Sequence, residues 1–531
     1  MNTRHVISVT LNAHAPFAGA SEGSQNRVER WFFESLSETY RPLLEAFDRL
    51  DGDRIPFRLG ISLSPVLCQM LRDDLLIQGY LDYVAKQIEF GQQELDRTAD
   101  DPVLNGLAKR WYDQTLERRF LFTERYGKNI LKVFDYYQRK GKIELLTTAA
   151  THGFLPFYTS SPEAIQAQFE VALSSYRLNF GKHPHGFWLP ELGWTPELER
   201  HLRAYNFGYT VINTHGLVLG SPPPAKGSFY PVKTPQGIFI FAKDHYAYQD
   251  IADKEQGFSY HPAYRDNDAD VGYELPAERI KSFLDDNGGR MQTGYKYRAI
   301  GDWKDQKRLY DPEAASAQIA KQARSFLDAR ITRLRSAGQY MRETPVSVCA
   351  YNANAFGRFW HEGTEFLETL FREGAKREEI QFMTPAEYLY KQDLSKIQTV
   401  TPCFSSGGFN GYAQTWLDAS NDWIYRHTAR ALERMTEIAE RFPNETGLKE
   451  RALNQAAREI LLGQASDWTK MLYREEYEEY AREQIEGTLR NFTTIYEALG
   501  SNYISTEWLT ALERRHNIFP SINYRVFRRK R

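Results

Sequence analysis

The stretch HGFWLPELGW, residues 185–194, leads from polar residues into the apolar run Phe187, Trp188 and Leu189. It then delivers a carboxylate, Glu191, flanked by the indoles of Trp188 and Trp194. A short continuous apolar run bounded by turn residues reads as a buried strand, and this one ends on a polar group. The same arrangement recurs along the chain. Residues 6–11 precede Asn12 and His14, residues 57–63 precede Ser64, and residues 143–146 precede Thr147 and His152. Residues 209–212 precede Asn213 and His215, residues 238–241 precede Asp244, and residues 346–350 precede Asn352. Amphipathic stretches lie between many of these runs. Residues 27–50 place Trp31, Phe32, Leu36, Tyr40, Leu43, Leu44 and Phe47 close to a 3.6-residue period, and residues 64–90 and 104–139 also read as helices. Strand, helix, strand, with polar residues at the carboxyl ends of the strands, is the logic of a parallel α/β barrel, whose sites gather on that face.

Outward from this core, GSPPPAKG (residues 220–227) reads as a loop. Residues 258–289 are acidic and weakly periodic, and read as a lid or insertion. Strand signals stop after about residue 395, and residues 411–441, 447–462 and 466–499 read as helices. The expected organisation is a barrel over residues 1–395, with an inserted loop and helical region around 216–290, and an α-helical C-terminal domain over 396–531.

Composition narrows the function. The 531 residues include 32 Phe, 32 Tyr and 10 Trp, an aromatic fraction of 14% that excludes a disordered chain. The formal net charge of −2 lacks the basic excess of a nucleic-acid binder. Stacking on a neutral polar ligand is one explanation of the aromatic excess, and a large core is the other. Three widely spaced cysteines, Cys68, Cys349 and Cys403, form neither a disulfide framework nor a zinc pattern. No apolar run of membrane-spanning length and no leader segment is evident, so a soluble cytoplasmic protein is expected.

A carboxylate beside aromatic rings suits a sugar site, because the C–H faces of a pyranose pack on rings while the carboxylate addresses the anomeric carbon. A buried ion-paired Glu among core aromatics is the alternative reading of the same residues. Residues 141–156, GKIELLTTAATHGFLP, deliver His152 at a strand end, and LNAHAPF, residues 11–17, delivers His14 at another.

These segments, together with QASDW (residues 464–468), resemble characteristic segments of glycoside hydrolase family 57, and most closely those of its α-1,4-glucan branching enzymes. The resemblance runs nearly end to end. It includes LGISLSPVL (59–67), TGYKY (293–297), ASNDWIYRH (419–427) and RRHNIFPSINYR (514–525). It implies an incomplete (β/α)7 barrel with a C-terminal helical domain, no metal or other cofactor, and an α-1,4-glucan such as glycogen, starch or a maltooligosaccharide as partner, with no role for membranes or nucleic acid. It implies retaining transfer, in which one carboxylate attacks the anomeric carbon and a second, about 5–5.5 Å away, protonates the departing oxygen. By motif position Glu191 is the nucleophile. His14, His152, Trp188, Trp194, Arg358, Trp360, Trp416, Asp467 and Trp468 fall at substrate-facing positions.

The acid/base segment departs from the pattern. Where the family has a segment of the type Y-D-x-E-L-F-G-H-W-W, this chain reads YNANAFGRFW (351–360), with Asn352 at the aspartate position, Asn354 at the glutamate position and Arg358 at the histidine position. An amide is neither a general acid nor a general base, and such groups contribute about 10²–10⁴-fold. Asn12 and Asn213 likewise stand where the family has His and Asp, and SSGGFNGYAQTW (405–416) lacks the Trp of its SSWG segment but keeps Trp416. The resemblance with this departure implies a glucan-acting protein with impaired or lost catalysis. Asp244 and Asp467 are the candidate replacement acids, and Arg358 is a possible blocking group beside Glu191. A non-catalytic glucan-binding homologue, in which exposed Trp188, Trp194, Trp360 and Trp416 would report binding by fluorescence quenching, is the alternative. A metal-dependent deacetylase-like barrel built on His14 and His152 is a distant third.

Overall fold

The computed structural model describes residues 4–19, 27–285, 288–301 and 308–530. Residues 1–3 of the N-terminal reading and residues 286–287 of the acidic segment lie outside these. Each of the seven apolar runs forms a strand. The strands are β1 (His5–Ala13), β2 (Leu59–Leu63), β3 (Ile143–Thr148), β4 (Phe187–Trp188), β5 (Tyr209–Ile212), β6 (Val232–Lys233), β7 (Phe239–Ala242), β8 (Val346–Asn352) and β9 (Ile380–Phe382). An arc in the order β4-β3-β2-β1-β8 is entirely parallel, with β9 also pairing parallel to β1. A second sheet has the order β5-β7-β6, in which β5 and β7 are parallel and β6 is antiparallel. Two single parallel bridges, Gly186 to Tyr209 and Lys243 to Val348, join β4 to β5 and β7 to β8. The result is a seven-stranded α/β barrel with β6 and β9 outside the ring.

Strand side chains alternate between faces. One face of the ring carries Val6, Leu146, Trp188, Tyr209, Val211, Phe241, Val346, Val348 and Ala350, which pack together as the barrel interior. The opposite face joins the main core against the helices, with Ile7, Val9, Leu11, Leu59, Ile61 and Cys349. The alternation places Asn12, Lys243 and Asn352 on the interior face at the carboxyl ends of their strands. Asn12 and Asn352 are register partners.

The C-terminal helices are Asp422–Arg441, Gly447–Gly463, Ser466–Arg474, Glu478–Ser501 and Thr506–Arg515. The first starts eleven residues later than the sequence suggested, because the loop after Ser405 bonds to the barrel at Trp194 and Glu191 and residues 418–421 form a turn before the helix. The acidic segment is a strap of short 3₁₀ turns. Its buried Asp270 accepts from the backbone N–H groups of Gly272, Thr293 and Gly294 and from the Thr293 hydroxyl, at 2.7–2.9 Å. The strap lies on helices Asp74–Arg97 and Pro102–Phe120. Tyr295 donates to the Gln87 carbonyl, Trp111 donates to the Lys296 carbonyl, and Tyr297 donates to Glu94. Among the described residues, no helix is long and apolar enough to cross a membrane.

Candidate active site

Glu191 follows β4 in a turn whose backbone is strained. It has φ 55° and ψ 23°, and Leu192 continues at φ 53°. Neither is glycine, and left-handed backbone at ordinary residues persists only where the surroundings over-determine it. The loop of residues 405–416 does so here. Trp194 and Ser405 exchange backbone hydrogen bonds at 2.8 and 3.1 Å, and the Gly407 N–H donates to the Glu191 carbonyl at 2.6 Å. A Cβ at Gly407 would sit 2.9 Å from that carbonyl oxygen, so this contact requires glycine.

The Glu191 carboxylate faces three groups. Ser466 Oγ lies 3.4 Å from Oε1, and His152 Nδ1 and Lys470 Nζ each lie 3.9 Å from it. Ser466 and Lys470 are four residues apart on helix Ser466–Arg474 and so share a face. His152 is itself left-handed, at φ 56°. Burial, the adjacent His14 and the Lys470 cation hold His152 well below the ordinary imidazole range, so it is neutral. Its Nε2 is 3.1 Å from the Asn12 amide nitrogen, which can only donate, so the ring proton resides on Nδ1 and points to Ser466 Oγ and Glu191.

His14 stacks on His152 with centroids 4.1 Å apart. Its Nε2 contacts Asp467 at 2.9 Å and its Nδ1 contacts Ser64 Oγ at 2.9 Å. The Asp–His–Ser order resembles a hydrolytic triad, but Ser64 is fully buried and its Oγ already caps a helix at Leu67. Both imidazoles are therefore engaged by protein groups. Among the described residues, no group of three His, Cys, Asp or Glu side chains could hold a metal ion, so the deacetylase-like reading has no ligand set.

The structure corrects several expectations. Asp244 is not free to act as an acid: its Oδ1 caps a helix at the Ala247 N–H at 3.0 Å, its Oδ2 accepts from Ser347 at 2.6 Å, and Arg330 stands 3.9 Å away. Arg358 pairs with Glu34 at 3.0 Å and lies over Trp31, so its charge is answered by a carboxylate other than Glu191. Trp188, Trp194, Trp360, Trp416 and Trp468 are at most 5% exposed, which removes the expectation of open indole faces that quench on sugar binding. Trp188 packs in the barrel interior, and the other four rings pack in the clusters outside it. Trp416 stacks on Phe154 at 5.1 Å, Trp194 donates to the Pro402 carbonyl and Trp468 donates to the Leu462 carbonyl. Exposed rings stand instead at Tyr248 (41%), Phe359 (56%) and Tyr412 (48%), which follow β7, follow β8 and belong to the 405–416 loop. Asn352 ends β8, and its Oδ1 accepts from the Asn354 N–H at 2.9 Å, closing a local turn.

Ser466, Lys470 and the exposed tyrosines escaped the sequence reading. For Ser466 and Lys470 the available signal was the four-residue spacing around Asp467, which puts them on one helical face with QASDW.

Comparison with known proteins agrees with this geometry. The profile of glycosyl hydrolase family 57 matches residues 8–402, and that of the 1,4-alpha-glucan branching enzyme C-terminal region matches residues 427–527. The chain belongs to glycosyl hydrolase family 57. It is 26% identical over 557 aligned residues to a 1,4-alpha-glucan branching enzyme of Thermococcus kodakarensis, covering 97% of this chain and 77% of that protein. Among solved structures it superposes on the alpha-amylase AmyC of Thermotoga maritima with TM-score 0.93 and 33% identity, over the whole of both chains. The branching enzyme of Pyrococcus horikoshii, at TM-score 0.88 and 24% identity, covers all of this chain and 98% of its own, and shares the fold.

Proposed function

We propose that this family member carries an α-1,4-glucan-directed site of the branching-enzyme type. In this reading Glu191 is the nucleophile of a retaining glycosyl transfer, and Asn352 occupies the acid/base position, so that transfer from ordinary glucans is impaired or lost. The observation that supports it is the contrast between the two strand ends. Glu191 is held in strained backbone and supplied with a hydroxyl, an imidazole N–H and an ammonium group. Asn352, at the end of β8, offers an amide whose oxygen is used in its own turn. Retaining transfer needs a second carboxyl about 5–5.5 Å from the first. A sugar hydroxyl is a poor leaving group and suffers most from the missing proton donor.

Within the site, the neutral His152 N–H and Ser466 would orient the Glu191 carboxylate, with the Lys470 ammonium beside it. His14, fixed by Asp467 and Ser64, would present its ring edge to a bound sugar. Tyr248, Phe359 and Tyr412 would offer stacking surface along the rim.

The test is Asn352→Asp. Branching and reducing-end formation on amylose are expected to rise by about 10²–10⁴-fold over the parent chain. The turn built on the Asn352 amide favours a second reading, a glucan-binding homologue without turnover. Unchanged activity in the Asp variant, with glycogen still bound, would establish that reading.

A further inference from the structure

A site with a nucleophile and no carboxylic acid is matched to a donor whose leaving group departs as an anion. We infer that Lys243 is the group that receives such an anion, and that the site accepts an α-glycosyl phosphate as donor. This rests on the reading of Glu191 as nucleophile and names the donor class for the same site.

Lys243 is the first residue beyond β7, and its parity with Phe241 directs it to the barrel interior. Its backbone bridges Val348, on the strand that ends in Asn352. Its ammonium lies 3.3 Å from the centre of the Tyr248 ring, and that ring in turn faces Tyr351. Among the described residues no carboxylate stands within ion-pair distance of it, although Asp244 is the very next residue. Asp244 is turned away to Ser347 and Arg330. A cation directed into a barrel needs a counter-charge, and here only a ring face is provided. Burial accordingly pulls the ammonium down to about 7, where it exchanges its proton near neutral pH. Lys243 and Tyr248 follow β7 and Glu191 follows β4, with β5 between those two strands, so all three stand at the same mouth of the ring. That is the arrangement for a donor whose anomeric carbon faces Glu191 and whose phosphate reaches Lys243.

The reaction balances with these groups. A Glu191 oxygen forms the bond to C1 as the C1–O bond to phosphate breaks. The electron pair leaves with that oxygen, and the Lys243 ammonium gives it a proton, yielding hydrogenphosphate and a neutral amine. The acceptor hydroxyl then attacks C1, its proton passes to the Lys243 amine, and Glu191 leaves as carboxylate.

The experiment compares α-glucosyl fluoride, α-glucose 1-phosphate and maltoheptaose, each with a maltooligosaccharide acceptor, measuring fluoride, phosphate and product. The parent chain is expected to consume the fluoride and to release phosphate, with maltoheptaose turned over at least 100-fold more slowly. Lys243→Met is expected to lower phosphate release about 100-fold while a first-turnover burst of fluoride, a step that takes no proton from Lys243, is retained. Lys243→Arg, which keeps the charge without a transferable proton, should still bind glucose 1-phosphate but release phosphate slowly. Fluoride consumption that depends on Glu191, with phosphate release no greater than in Lys243→Met, overturns the phosphate-donor inference alone. Absence of Glu191-dependent fluoride consumption overturns the nucleophile reading and this inference with it.

Discussion

At the scale of single residues, Glu191 and Leu192 stand in strained backbone. Two successive left-handed non-glycine residues cost on the order of 1–3 kcal/mol each. Asn tolerates this backbone better than Glu. Glu191→Asn is therefore expected to raise the unfolding free energy, by on the order of 1 kcal/mol in denaturant titration, while removing turnover of any donor. A lower stability would show that the carboxylate's contacts with Ser466 and Lys470 outweigh the strain. Tyr412 is nearly half exposed and touches His215 at a ring distance of 4.9 Å. Tyr412→Ala should weaken glycogen binding in affinity electrophoresis with the melting temperature within 2 °C or so of the parent, since exposed positions carry little stability. Glu191, His14, His152 and Asp467 were legible in the sequence because each stands at or beside a strand end or in a recognisable motif. The indoles were placed in the right loops but given the wrong exposure, since an aromatic ring at a strand end can face a ligand or seal a gap and composition does not distinguish the two. Lys243 was passed over because, to the eye, its neighbour Asp244 held the chemistry of that strand end.

At the scale of elements, the seven strands of the ring were legible because each carries a short apolar run, while β6, β9 and the helix boundaries were not. Residues 64–90 and 104–139 read as long helices, but Asp73 caps a new start at Leu75 and Leu76, and Asn129 caps another at Lys132. An Asp between apolar stretches can lie on a helix surface or end one, and only the packed structure decides. The strap was recognised as an insertion, yet its anchor was hidden. Asp270 is an acid among many acids in the sequence, and in the structure it is the fully buried acceptor for three backbone N–H groups and a hydroxyl. Asp270→Ala leaves those donors unpaired in a dry site, and each unsatisfied donor costs about 1–3 kcal/mol. Limited proteolysis is expected to cut the variant within the strap (residues 258–301) under conditions that leave the parent intact. Equal resistance would mean that the tyrosine contacts to the helices hold the strap by themselves.

At the scale of the whole molecule, the near-zero net charge conceals buried ion pairs that tie distant parts of the chain. Glu38 and Arg265 pair at 2.9 Å, both buried, and join the helical layer after β1 to the strap. Burial alone would raise the Glu38 carboxyl, but Arg265, Lys296 and His361 overcome it and hold the group well below the ordinary carboxylate range. A carboxyl lowered in the folded state stabilises at pH above its unfolded value near 4.5, and that stabilisation is lost as pH falls toward the folded value. Acid unfolding should therefore move to higher pH in Arg265→Met. At neutral pH the same variant should lose roughly 3–5 kcal/mol, since it strands a buried carboxylate. The way the ring is closed has a mechanical consequence. The arc and the smaller sheet behave as two staves held at each join by few main-chain bonds, Gly208 N–H to His185 and Asp244 N–H to Val348, both 2.8 Å. Glu191 rides just beyond one join and Lys243 stands in the other. Parting the staves would widen the mouth between those two side chains without disturbing the ladders of β1, so the amides of Gly208 and Asp244 should exchange with deuterium ahead of those in β1. A glucan chain too thick for the closed mouth could then be admitted by the barrel wall itself, with no loop required to lift.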